Sequence, residues 1–318
     1  MSIADEIKDV DRGAAGARAL GRDRARAAMA ALLGGQTSDL ETGAFVMAMR
    51  MKGETLAEIR GFLDAAQDSC LRLHSDRPVV LIPSYNGSRR LPNLTPLLAM
   101  ELARAGVRVL VHGTVADPTR VTSAQIFHDL GLPQAHQQAD VHAAWARREP
   151  AFMSLATLSP SLQQLLDVRW TIGVRNSGHT VAKMLQPFGV TRCLRLVNTT
   201  HPESAALMAA WAQEDGADAM LLRGTEGEPV ADPRRQPRLD TYIAGLPCDP
   251  ACVPALDGVV TELPLLPRSN DTATTALYIQ SVLAGERPAP TPLARQVQAV
   301  LAAVDELARG SPGHAMRA

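Results

Sequence analysis

Aromatic residues make up 3% of the 318 positions, so a surface of stacked rings, a common way to hold single-stranded bases without regard to sequence, has few residues to draw on. The four cysteines, Cys70, Cys193, Cys248 and Cys252, are too few for a disulfide framework in a chain of this size. Cys248-x-x-x-Cys252 lacks a second pair or histidines at zinc-ligand spacing, so no structural metal is expected. No apolar run reaches the roughly 18 residues of a membrane span, and no signal-peptide pattern opens the chain. A cytoplasmic protein without membrane contact is expected. An excess of one charge is missing too: the formal net charge is −1, which gives no global pull toward nucleic acid.

What is present is an ordinary globular composition, 46% hydrophobic and 20% charged, with length enough for two domains and a sizeable core. Its charge is unevenly spread. From Pro83 through Arg195 there are 12 Lys/Arg against six Asp/Glu, so the middle of the chain is basic and the flanks are acidic. Such a patch either binds anions or is a solvated basic face.

Residues up to about Ser75 read as helical. Arg24 to Leu33 is alanine-rich and ends at Gly34-Gly35, a C-cap signal. Ser38-Asp39-Leu40-Glu41 and Thr55-Leu56-Ala57-Glu58 each match the capping box that opens a helix. From Pro78 the period changes. Val79 to Ile82 reads as strand, Leu94 to Ala105 as helix, Val107 to Val111 as strand and Ser123 to Leu130 as helix. Cys193 to Val197, Glu203 to Gln213 and Ala219 to Leu222 repeat the pattern. Alternation of this kind describes βαβ units around a parallel sheet. Ligand loops then leave the carboxyl ends of the strands, here starting at Pro83, His112, Asn198 and Arg223. Helices return at Thr272 to Leu283 and Pro292 to Ala308. The expected division is a helical domain over 1–76, an α/β domain over 77–310 and a disordered tail over 311–318.

Pro83-Ser84-Tyr85-Asn86-Gly87-Ser88-Arg89-Arg90 stands where a phosphate-binding loop is expected. It carries one glycine, although a loop that closes on pyrophosphate through backbone N–H groups needs several. It carries two arginines instead.

Gly21 to Met29, Ser38 to Thr55 (with Met51-Lys52-Gly53-Glu54-Thr55 as its most specific stretch) and Pro83 to Thr114 closely resemble the anthranilate phosphoribosyltransferase family. The resemblance runs from about residue 10 to at least residue 230. It implies a small N-terminal helical domain, used for dimerisation, and a larger α/β domain with a mostly parallel central sheet, the nucleoside phosphorylase/phosphoribosyltransferase-like fold. Counted back from the shared Asn93, the family's Gly-Thr-Gly-Gly-Asp loop falls on Pro83 to Gly87 and is not kept. The helix start survives in part as Asn93-Leu94-Thr95-Pro96, whose positive end can face an anion. Lys-His-Gly-Asn becomes Val111-His112-Gly113-Thr114. The acidic pair that carries magnesium falls near Glu226 and Glu228 without its adjacency. His112 and Arg169 match positions associated with the aromatic substrate. The departures resemble a YbiB-type branch of the superfamily, seen in Pro83 to Gly87, Asn93 to Leu98, Val111 to Gly113 with Asp117 to Arg120, Val174 to Thr180 and Arg223 to Glu228. That resemblance implies a dimer that binds DNA or RNA with little sequence preference through a basic groove.

On that reading Arg89, Arg90, Arg120, Arg169, Arg175, His179 and Lys183 are phosphate contacts, and Tyr85 either stacks on a base or packs over the sheet edge. His179 and Lys183, four apart on a predicted helix, are expected on one face. Asn86, Asn93, Thr95, His112, Glu226 and Glu228 form a remnant substrate pocket, and no catalytic residue is assigned. The alternative is a divergent glycosyl or phosphoribosyltransferase acting on a small phosphorylated substrate, with Mg²⁺ required only in that case. In a third reading the helical unit serves as a protein-binding scaffold.

Overall fold

The computed structural model describes residues 2–12, 16–261 and 265–310; the tail expected over 311–318 lies outside the described residues. The chain forms two compact units, one of Met1–Arg72 with Leu155–Pro187, the other of Leu73–Ser154 with Phe188–Ala318.

The first unit is helical. Its main helices are Ala4–Val10, Arg22–Leu33, Asp39–Lys52, Leu56–Asp68 and Pro160–Ile172. Both capping boxes form as the sequence predicts: Glu41 and Glu58 reach back to the N-cap N–H groups of Ser38 (3.0 Å) and Thr55 (2.8 Å). Gly61 lets Leu56–Asp68 lie directly on Arg22–Leu33, because a Cβ there would sit 2.2 Å from the Arg22 carbonyl oxygen. Phe45 and Phe62 meet edge to face, with centroids 6.1 Å apart.

The Met51 to Thr55 stretch has a structural task. Lys52 pairs with the fully buried Glu58 at 2.7 Å, and Glu58 also accepts from Leu20 N–H at 2.8 Å. Gly53 turns the chain at φ +80°. Glu54 accepts from the Ser177 hydroxyl at 2.6 Å. The helical unit was expected within 1–76, but residues 155–187 belong to it as well. Leu71 N–H donates to the Leu158 carbonyl at 2.7 Å, and the Ser69 and Ser159 hydroxyls bond at 2.9 Å.

The second unit holds a seven-stranded sheet of β1 (Val79–Ser84), β2 (Arg108–Gly113), β3 (Ala151–Ser154), β4 (Cys193–Asn198), β5 (Ala219–Leu222), β6 (Leu239–Ile243) and β7 (Leu246–Pro247). Their order is β3-β2-β1-β4-β5-β6-β7. The first five run parallel, and β6 and β7 are antiparallel additions. The mostly parallel α/β sheet is as expected, but β3, β6 and β7 were not anticipated. Pro83 and His112 lie opposite each other inside β1 and β2, not in loops. Pairing of β1 with β4 ends at Leu81 opposite Arg195, so the missing N–H of Pro83 falls beyond that ladder. Val80, Ile82, Leu97, Leu102, Val109, Leu196 and Met220 are buried in one hydrophobic cluster with Ile279, Leu293 and Val300 of the C-terminal helices Thr272–Leu283 and Thr291–Arg309. Strand order reverses at β1 and β4, and the loops leaving their carboxyl ends are where such a sheet takes ligands.

Candidate functional site

The loop after β1 is fastened to the loop after β5 by two carboxylates. Glu228, 1% exposed, accepts from the backbone N–H groups of Asn86 (2.8 Å) and Gly87 (2.7 Å) and from the Thr95 hydroxyl (3.3 Å). Glu226 accepts from the N–H groups of Arg89, Arg90 and Leu91, each at 2.8 Å. Ser88 N–H goes to the Val121 carbonyl at 3.0 Å. Every backbone N–H from Asn86 to Leu91 is thus taken within the chain. Burial pushes the Glu226 carboxyl up, but the three N–H donors, helped by the Arg120 charge, outweigh it and hold the group below the usual carboxylate range.

Local geometry enforces this clamp. Gly87 sits at φ +63°, and Gly227 at φ +94° with its missing Cβ only 1.9 Å from Asn86 Nδ2. That amide donates to the Gly227 carbonyl at 2.6 Å. Asn93 accepts from Thr95 N–H at 3.1 Å and donates to Ser123 at 3.1 Å, which sets the start of the helix Thr95–Arg104. The anion at that start is the chain's own Glu228. Asn86, Asn93, Thr95, Glu226 and Glu228 are therefore brought together as expected, but bonded to one another.

Tyr85 is 3% exposed and its hydroxyl bonds His112 Nδ1 at 2.7 Å. A buried ring in that bond presents no face to a base, so the stacking role is withdrawn and the packing alternative holds. His112 is fully buried, and burial pushes its pKa down to about 3. It is a neutral imidazole inside β2 whose Nε2 has no hydrogen-bond partner among the described residues.

Of the cations on this unit, Arg89 and Arg90 are exposed and Arg120 is half-buried, with its guanidinium 3.3 Å from the Gly87 carbonyl. The others belong to the helical unit. Arg169 lies in the last turn of the helix Pro160–Ile172, its guanidinium over the Trp170 ring at 4.0 Å. The Arg175 carbonyl accepts from Arg50 at 3.2 Å. His179 is 6% exposed, and burial, reinforced by Arg175 and Arg169, pushes its pKa down to about 3. Without a charge and without exposure it cannot serve as a phosphate contact. The helix is Gly178–Ala182 with the half-buried Lys183 as its C-cap, so the face expected to carry His179 and Lys183 is not an exposed basic one.

Residues 8–70 match the glycosyl transferase family helical bundle domain. Across 320 aligned positions, 98% of each chain, the sequence is 39% identical to the protein YbiB of Escherichia coli. The chain belongs to the YbiB family. This YbiB-family chain is also 27% identical to the anthranilate phosphoribosyltransferase of Nitratidesulfovibrio vulgaris over 279 residues, covering 85% of this chain and 82% of that enzyme. The crystal structure of anthranilate phosphoribosyltransferase from Thermus thermophilus superposes with a TM-score of 0.71 at 23% identity, covering 97% of this chain and 90% of that one. The YbiB family is thus a branch of the anthranilate phosphoribosyltransferase-like superfamily and shares its fold.

Sequence reasoning passed over one basic segment, Pro233-Arg234-Arg235-Gln236-Pro237-Arg238. Three arginines in six positions were the available signal. Together with Arg90 and Arg223 they line a cavity of about 1050 Å³ at the carboxyl ends of β4 and β5.

Proposed function

We propose that the protein is a cytoplasmic, homodimeric nucleic-acid-binding protein without sequence preference, holding phosphates through Arg89, Arg90, Arg120, Arg169, Arg175 and Lys183. The observation that carries this reading is the amide clamp. A pyrophosphate loop works by offering backbone N–H groups to phosphate oxygens. Here those from Asn86 to Leu91 already serve Glu226, Glu228 and Val121. The same loop keeps the Arg89 and Arg90 side chains exposed, which suits a polyanion gripped from outside better than a small phosphate enclosed within. The two acids at the magnesium-associated segment are spent on those amides too, so they are poor metal ligands as arranged.

For dimerisation the support is a stripe on the helix Asp39–Lys52. Leu40 (83% exposed), Met47 (38%) and Met51 (80%) share one side with the exposed Ala44, at the spacing of a single helical face.

The test is fluorescence anisotropy of a labelled single-stranded oligonucleotide at about 50, 100 and 200 mM salt, where counterion release gives a log–log slope of about −0.7 per phosphate engaged. Arg89→Ala with Arg90→Ala should weaken binding and flatten that slope by roughly 1.4. An unchanged slope removes this loop from the interface. The relationship to anthranilate phosphoribosyltransferases favours a second reading, a divergent transferase for a small phosphorylated substrate. Magnesium-dependent consumption of phosphoribosyl pyrophosphate with anthranilate would establish it and displace the first.

A further inference from the structure

The cavity at the ends of β4 and β5 lies entirely within the α/β unit and has no part in the clamp beyond sharing Glu226 and the backbone around it. Its charges divide into two sets. Glu226 is held by three backbone N–H groups. Asp232 is held by Arg234 through a two-pronged contact at 3.0 and 2.9 Å. Asp240 accepts from Arg238 at 2.7 Å. These carboxylates are spoken for, and so are Arg234 and Arg238.

The second set is Arg90, Arg223, Arg235 and Asp257. All four are exposed, and none has an opposite charge within ion-pair distance among the described residues. Three guanidiniums outside any ion pair line this one cavity, each a planar fork matched to phosphate oxygens; Arg235 also lies within electrostatic reach of Asp232, whose carboxylate Arg234 already holds. The rest of the wall mixes polar side chains such as Thr199, Thr200 and Gln236 with apolar surface that includes Ala205, Ala209 and the half-buried Tyr242. Ligand pockets of several hundred to a thousand Å³ combine such apolar surface with a few polar anchors.

We propose that this cavity binds a phosphate monoester of nucleotide size, its phosphate held among Arg90, Arg223 and Arg235, its flat apolar part against Tyr242 and the alanines, and a hydroxyl accepted by Asp257. The phosphate has two possible sources, a free nucleoside monophosphate or the phosphorylated 5′ end of a strand. The site shares Arg90 with the proposed strand interface, but Arg223 and Arg235 have no role there.

The experiment is isothermal titration of the full chain with adenosine 5′-monophosphate and, in parallel, adenosine. The nucleotide is expected to bind at least about tenfold more tightly than the nucleoside, the value of one charge-assisted contact. Arg223→Ala with Arg235→Ala should lower nucleotide affinity by about tenfold or more while leaving the thermal melt unchanged, because both side chains are exposed. Arg169→Ala should leave it intact. Competition by a 5′-phosphorylated oligonucleotide, but not by its 5′-hydroxyl counterpart, assigns the site to strand ends; no competition by either assigns it to the free nucleotide. Equal affinity for nucleotide and nucleoside up to about 1 mM, or nucleotide binding untouched by the double substitution, overturns the proposal. Neither failure bears on oligonucleotide binding through Arg89 and Arg90.

Discussion

At His112 and His179 the residue type was visible in the sequence but its environment was not. A histidine after an apolar run reads as a loop residue at a strand end, and one four places from a lysine reads as part of a basic face. Burial makes both neutral, with pKa values pushed from 6.5 to about 3. The unfolded chain therefore takes up protons near pH 6.5 that the folded chain refuses. The stability linked to these histidines is complete above pH 6.5 and is lost as pH falls from there toward 3, by about 1.4 kcal/mol per pH unit for each histidine. Urea titrations at pH 7 and 5 should show this loss, and His179→Asn should reduce the difference between them. An unchanged difference would mean that His179 is protonated in the folded state. Tyr85 gives the same lesson: as the loop's one aromatic it suggests stacking, yet its hydroxyl is committed to His112.

Between elements, the part that sequence reading missed is the pairing of two loops. Glu226 and Glu228 were visible as acids two apart, and the Asn86 to Leu91 loop as poor in glycine. Nothing in local spacing says that acids 135 to 142 positions away meet those amides. The capping boxes were legible because both partners lie three residues apart. Strand β6 was missed because its five residues sit among prolines and turns, and tertiary pairing with β5 makes the strand. Glu228→Ala should cost about 2–4 kcal/mol in denaturant unfolding, since it strands two buried N–H groups and a hydroxyl. Amide exchange at Asn86 and Gly87 should then accelerate. Glu226→Ala should speed exchange at Arg89, Arg90 and Leu91 with a smaller loss of stability, because that end of the loop is exposed. Exchange rates that do not change would mean the carboxylates are not what holds the loop.

For the molecule as a whole, the proposed dimer places its contact on the exposed stripe of Leu40, Ala44, Met47 and Met51. Met47→Glu with Met51→Glu should shift light-scattering mass from dimer toward monomer without loss of helical signal; an unchanged mass would place the dimer contact elsewhere. The sheet and the early helices were readable because hydrophobic period reports local structure directly. The division of the chain was not, because the helical unit is discontinuous in sequence and closes only through contacts such as Leu71 with Leu158 and Gln67 with Gln186. During synthesis this has a temporal meaning. The first helices leave the ribosome well before residues 155–187 exist, and the whole of β1 to β3 is made in between. The earlier helical segment must wait, incomplete, for its second part to emerge, so it is finished only after β1, β2 and β3 of the other unit have been translated.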